Sequence, residues 1–193
     1  MLTKLNEAVL LALHNVTLST EWLYDSVAFV TKPIVGVFLG AFDSIVIGSV
    51  FLVLFIYYDG KPGLLAVDKY TWRKLAVISL TGVIAWAGSV TLKAASQVPR
   101  PYEALDIMPL FRVGTLDSFP SGHAMFFAAV AVAVYHYHRN LGALFVLATV
   151  LIGLGRIMAG VHYPLDILAG IAFGGGGAIV MMWLVKRFPV LRP

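Results

Sequence analysis

Long runs of apolar residues decide what this chain can become. Near residues 75 to 95, 122 to 138, 141 to 158 and 165 to 186 the run approaches or exceeds the ~20 residues that carry a helix across about 30 Å of hydrocarbon. A further apolar stretch, residues 22 to 58, is interrupted by Lys32-Pro33 and Asp43. At about 1.5 Å per residue it exceeds one crossing. Two arrangements fit it: two short helices broken near Pro33, or one spanning helix after an interfacial segment. Barrel strands do not fit, because no run alternates with period two. With 60% hydrophobic and only 12% charged residues, the chain has more apolar surface than one soluble core of its length buries. The expected fold is an all-α, polytopic membrane helical bundle with five or six transmembrane helices, a single domain spanning 1–193.

Cysteine is absent, which removes disulfides and thiolate chemistry. The N-terminal MLTKLNEAVLLALHNV lacks a secretory apolar core followed by a small-residue cleavage site, so it is expected to be retained. Leu2, Leu5, Val9, Ala12, Leu13 and Val16 fall at helical spacing, with Asn6, His14 and Asn15 off that stripe. An interfacial amphipathic helix and simple packing against the bundle both fit. Residues 59 to 74, DGKPGLLAVDKYTWRK, carry turn signals and four cations and read as an aqueous loop. Residues 96 to 120 form a polar, proline-containing loop, and a tight turn is expected at Arg139-Asn140. That alternation returns residues 155 to 164 to the side of the 96 to 120 loop. The Gly170/Gly174 pair and the run from Gly174 to Gly177 are read as close helix packing.

Three polar groups share that side: KAASQVPRP with Lys93 and Arg100, PSGH with Ser121, Gly122 and His123, and GRIMAGVHYPLD with Arg156, His162 and Asp166. A charge at membrane depth costs on the order of 3 kcal/mol, so converging cations need a partner. Three cations, a hydroxyl and the amides of Ser121, Gly122 and His123 at a helix start suit a tetrahedral oxyanion, phosphate above all. His162 precedes Asp166 by four residues, and Pro164 suits a first helical turn, so the carboxylate reaches the imidazole and makes His162 a candidate nucleophile. His123, on another helix start, is the candidate general acid. Each element alone has an ordinary role: Lys93 and Arg100 as snorkelling or topology residues, Ser121 and Gly122 as a cap, a histidine as a structural hydrogen-bonding group. The conjunction points to chemistry.

Lys93-x6-Arg100-Pro101, Pro120-Ser121-Gly122-His123 and Arg156-x5-His162-x3-Asp166 together resemble the three-part signature of the type 2 phosphatidate phosphatase superfamily, which also includes vanadium haloperoxidases. Gly155 departs from it where many members have serine. The resemblance implies a helical bundle and metal-independent hydrolysis of a phosphomonoester or diphosphate through a phosphohistidine. On that analogy His162 attacks phosphorus, Asp166 orients it and His123 protonates the leaving group. Lys93, Arg100, Ser121, Gly122 and Arg156 hold phosphate oxygens. No cofactor is expected, and no HExxH, paired-cysteine or dense carboxylate pattern argues for a metal.

His136 and His138 lie too far along their helix to join this site, and His14 shows no partner set. Glu103, Asp106 and Asp117 are expected to be solvated, and Asp43 to hydrogen-bond within the bundle. Lys61, Lys69, Arg73, Lys74, Arg139, Lys186, Arg187 and Arg192 fall on the side opposite the site, which places that side in the cytoplasm and the site toward the periplasm or cell exterior of a bacterial inner membrane. The expected partners are the bilayer and a membrane lipid substrate. The net charge of +4 is mostly explained by topology and site, so nucleic acid is not expected, and no obligatory protein partner is evident. Size and segment order look like bacterial undecaprenyl-diphosphate phosphatases of the superfamily. Phosphatidylglycerophosphate, phosphatidate and lipid A phosphate are the alternative substrates, and a non-catalytic anion transporter or binding protein the alternative class.

Overall fold

The computed structural model describes residues 2–31, 69–113 and 117–188. Most of the 22 to 58 stretch, with Asp43 and the choice between its two arrangements, lies outside them, as do residues 59 to 68. Seven helices are described: α1 (Leu2–Ser19), α2 (Glu21–Thr31), α3 (Lys69–Ser96), one-turn α4 (Pro101–Ala104), α5 (Gly122–Tyr137), α6 (Arg139–Met158) and α7 (Pro164–Arg187). Among the described residues the only β pairing is an isolated antiparallel bridge between Pro99 and Asp117. Helices α3, α6 and α7 are long and apolar enough to cross a membrane. With 16 residues, α5 extends about 24 Å.

Helix α5 is the centre of the bundle, packed against α3, α6 and α7. Ala124, Phe127, Ala128, Ala129, Ala131, Ala133 and Val134 are all buried, as an all-round apolar helix requires. Its alanines let neighbours approach closely. The glycines of α7 carry this furthest. A Cβ on Gly174 would stand 2.0 Å from the Met125 carbonyl oxygen, and one on Gly170 would stand 2.7 Å from that of Ser121. Close packing is therefore the role of these two. Gly176 and Gly177 have no described atom within 4 Å of a built Cβ, so the packing reading does not extend to them. Exposed leucines and valines, such as Val83 on α3, Leu147 on α6 and Val180 on α7, form an outer surface for hydrocarbon rather than water.

Two boundaries differ from the sequence reading. Helix α3 starts at Lys69, so residues 69 to 74 are helical rather than loop. Lys74 is 7% exposed, with its ammonium over the rings of Tyr70 at 4.3 Å and Tyr137 at 6.0 Å. Aromatic faces accommodate a cation that hydropathy alone assigns to water. The turn between α5 and α6 is the single residue His138, and Arg139 and Asn140 already belong to α6.

Helix α1 exists, but its buried face is not the apolar stripe. Leu10, His14 and Thr17 are at most 1% exposed, whereas Leu5, Val9 and Val16 are exposed. His14 has partners after all: Nδ1 lies 2.8 Å from the Met158 carbonyl oxygen and Nε2 lies 3.0 Å from that of Met108. Gly160 closes this contact. Its φ of +74° favours glycine, and a Cβ there would meet the His14 ring at 3.1 Å. Helix α1 is thus pinned to the turn between α6 and α7.

Candidate active site

The starts of α5 and α7 stand side by side because the Ser121 amide donates to the Asp166 carbonyl at 3.0 Å. Pro164 at the first helical position of α7 supplies its φ without losing a needed donor. Asp166 reaches back, Oδ2 accepting from the Tyr163 amide at 2.8 Å. This N-terminal cap fixes the carboxylate beside the turn that carries His162, with Nδ1 of His162 3.4 Å from Oδ2.

His162 and Asp166 are 4% and 3% exposed. On the far side of the imidazole, Arg100 Nη1 donates to the Val161 carbonyl at 2.9 Å and approaches His162 Nε2 at 3.3 Å. The guanidinium can only donate, so Nε2 faces it with its lone pair and the ring hydrogen sits on Nδ1. Burial pushes the His162 imidazole down to about 3 against the pull of Asp166, and it pulls Arg100 below the ordinary guanidinium value. The ring is neutral at physiological pH, and its outward nitrogen is unprotonated.

Arg156 ends α6 beneath the face of Phe111, at 5.3 Å from the ring centroid. Its Nη2 contacts His123 Nε2 at 2.5 Å, so both site imidazoles accept from an arginine. Lys93, Arg100 and His162 all lie within electrostatic range of His123. The Lys93 ammonium donates to the carbonyls of Asp117 and Ser118 at 2.9 Å each. That holds the loop before α5 and leaves one of its three hydrogens for another acceptor.

The structure therefore brings Lys93, Arg100, Ser121, Gly122, His123, Arg156, His162 and Asp166 to one end of the bundle, with two corrections. The Ser121 amide is spent on Asp166, so the first-turn donors of α5 are those of Gly122 and His123. The Ser121 hydroxyl stands 3.5 Å from the Ala124 amide, as a cap. The close approach that Gly122 permits is to Ser89, whose Oγ would be 2.9 Å from a Cβ. Glu103 and Asp106 are exposed as expected, whereas Asp117 is half-buried.

Ser118 escaped the sequence reading. It is fully buried, with Oγ 2.5 Å from Asp166 Oδ2 and 3.3 Å from His162 Nδ1. Nothing in its local sequence separates it from an ordinary loop serine; the contacts span 48 and 44 residues.

Residues 69–189 match the family model of the PAP2 superfamily. The chain is similar to the lipid A 1-phosphatase of Rhizobium etli, 30% identical over 155 residues, which is 72% of this chain and 65% of that protein. It is also similar to the undecaprenyl-diphosphatase BcrC of Bacillus subtilis, 30% identical over 115 residues, 59% of this chain and 58% of that one. The chain thus spans less than two thirds of the length of either relative. Its fold matches the crystal structure of a transmembrane PAP2 type phosphatidylglycerolphosphate phosphatase from Bacillus subtilis, with a TM-score of 0.66 at 18% identity, covering 97% of this chain and 87% of that one.

Proposed function

The chain belongs to the PAP2 superfamily, and on that premise we propose that it is a lipid phosphatase acting through a phosphohistidine, with undecaprenyl diphosphate as substrate. One observation carries the chemistry. His162 is buried and neutral, with its Nδ1 on Asp166, its Nε2 against the Arg100 guanidinium, and Lys93 within electrostatic range. An imidazole so held is an unprotonated nucleophile in a field that attracts phosphate.

Phosphate gives Arg100 and Arg156 a charged acceptor in place of the imidazole each now touches, and such charge-assisted bonds are stronger. That exchange uncovers Nε2 of His162 for attack and Nε2 of His123 for protonation. With Arg156 drawn onto phosphate, His123 Nε2 takes a proton from solvent; the His162 Nε2–phosphorus bond then forms as the bond to the leaving oxygen breaks, and His123 gives that oxygen its proton. Asp166 stabilises the positive charge that the ring acquires. Water then attacks phosphorus and gives its proton to His123, the N–P bond breaks, and His162 is neutral again. Lys93, the remaining amides of the α5 start and the Ser121 hydroxyl hold the equatorial oxygens, so catalysis rests on positioning and charge.

The site lies at the bundle end, which suits a substrate whose phosphate is at the membrane surface and whose tail stays in hydrocarbon. Arg73, Lys74, Arg139, Lys186 and Arg187 lie at the other end. The positive-inside rule puts that end in the cytoplasm and the site on the outer face of a bacterial cytoplasmic membrane. Among substrates, the undecaprenyl-diphosphatase relative supports a polyprenyl diphosphate, and the lipid A 1-phosphatase relative supports a lipid A phosphate as second choice. The deciding experiment measures phosphate release by the purified protein in EDTA from polyprenyl diphosphate, phosphatidylglycerophosphate, lipid A and phosphatidate, in proteoliposomes of known orientation. Release from none of these refutes the activity. Preference for another lipid refutes the substrate, and hydrolysis only from the face bearing Arg73 and Lys186 refutes the orientation.

A further inference from the structure

We infer that Ser118 is a positioning residue that holds the His162 ring in the tautomer with hydrogen on Nδ1. A fully buried hydroxyl is costly unless it is bonded, and this one lies between the two groups that matter. Its distance of 2.5 Å to Asp166 Oδ2 leaves no doubt where its hydrogen goes, because a carboxylate only accepts. The hydroxyl lone pairs are then the side presented to His162 Nδ1, at 3.3 Å. A lone pair facing that nitrogen requires a hydrogen on it. The direct His162–Asp166 contact is 3.4 Å; both it and the Ser118 contact are long for a single N–H···O bond, as two acceptors sharing one hydrogen are. Ser118 supplies the second acceptor of a shared hydrogen and keeps the carboxylate turned toward the ring.

The serine is itself held from three directions. Its amide donates to the Val98 carbonyl at 2.7 Å, its carbonyl accepts from Lys93 at 2.9 Å, and its hydroxyl meets α7. The end of α3 with the loop beyond it, the segment leading into α5, and the start of α7 therefore meet at one residue. Through it, the lysine proposed to bind phosphate also sets the orientation of the nucleophile.

The kinetic arm of the test rests on the proposed lipid phosphatase activity, and the spectroscopic arm does not. In the full-length protein labelled with ¹⁵N-histidine, the His162 signals, assigned by their loss in H162Q, are expected to show a single tautomer with Nδ1 protonated. In S118A they are expected to move to values averaged between the two tautomers, while S118T retains the wild-type pattern. With lipid phosphate as substrate, S118A is expected to lower kcat on the order of 10–100-fold, the range seen for the hydrogen-bond partners that orient metal-bound imidazoles, with KM within about twofold. In a D166N background, S118A should add little, since both act on the same ring. An unchanged His162 tautomer and unchanged kcat in S118A overturn the inference while leaving the phosphatase reading intact. Absence of wild-type activity overturns that reading, and the ¹⁵N comparison still decides the role of Ser118. If S118A is not recovered folded, S118C, which fills the same space with a weaker donor and acceptor, takes its place with the same expected mixture of tautomers.

Discussion

Replacing Gly174 with alanine tests whether the α5–α7 contact sets the geometry of the site. The new Cβ would stand 2.0 Å from the Met125 carbonyl oxygen and 2.8 Å from its carbon. Carbon and oxygen in contact without a covalent bond rest about 3.3 Å apart, so the helices must part locally by roughly 1.3 Å. Both partners at this contact are backbone, and no rotamer change relieves it. One turn back along α5 and about two turns back along α7, the Ser121 amide meets the Asp166 carbonyl at 3.0 Å. If half of the displacement reaches that point, the bond opens and His123 moves away from His162 by most of an ångström. A misplacement of about 1 Å can cost on the order of 100-fold in rate. Overpacking costs about 1–3 kcal/mol, against a gain of up to about 1 kcal/mol from helix propensity. The expected result for G174A is a lowered thermal midpoint and a kcat reduced about 100-fold, measured by phosphate release and thermal unfolding in the same detergent. G176A and G177A are the controls and should change neither quantity for the worse. A G174A variant with wild-type midpoint and kcat within twofold of wild type would show that the contact does not govern the site.

Alanine at His162 should abolish turnover and phosphoenzyme formation while the protein remains folded; near-normal turnover would exclude the covalent route. Vanadate should inhibit competitively by adopting the trigonal-bipyramidal shape of the transition state, and EDTA should have little effect; activity lost in EDTA and restored by Mg²⁺ would argue for a metal. His162 has a pKa lowered from 6.5 to about 3, so between those values the unfolded chain binds a proton that the folded protein refuses. The stability contributed by the neutral ring is complete above about pH 6.5 and is lost as pH falls toward 3. Thermal midpoints over this window should fall less steeply in H162Q than in wild type, and equal slopes would contradict the burial argument.

The apolar helices were legible because bilayer crossing leaves a plain mark on the sequence, and the starts of α5 and α7 were legible because proline, glycine and serine punctuate them. The eight candidate site residues that the structure brings together were legible as three short motifs. What the motifs did not show was how their polar atoms are shared. The Ser121 amide serves Asp166, Lys93 serves two loop carbonyls, and Gly122 makes room for Ser89. Each depends on a residue from another helix, and one chain read in order cannot supply that pairing. Lys74 misled for a different reason: a lysine counted as loop is tolerated in a helix when Tyr70 and Tyr137 turn their faces to it. His14 misled because its acceptors are carbonyls, which carry no side-chain signature.

That histidine has a consequence for how the protein is made. Its acceptors follow it by 94 and 144 residues, and a ribosome adds about 5–20 residues per second. Helix α1 therefore leaves the exit tunnel well before Met158 exists and waits roughly 7–30 s for it. Until the end of that interval the turn bearing His162 has not been made, and of the two acceptors of His14 only the Met108 carbonyl comes earlier. The clamp closes only after α6 has been synthesised and has brought its end back to the side where α1 waits. The earliest helix is thus among the last to be fully secured, and the end of the bundle that carries the candidate site is completed as a late step of biogenesis rather than inherited from the order of synthesis.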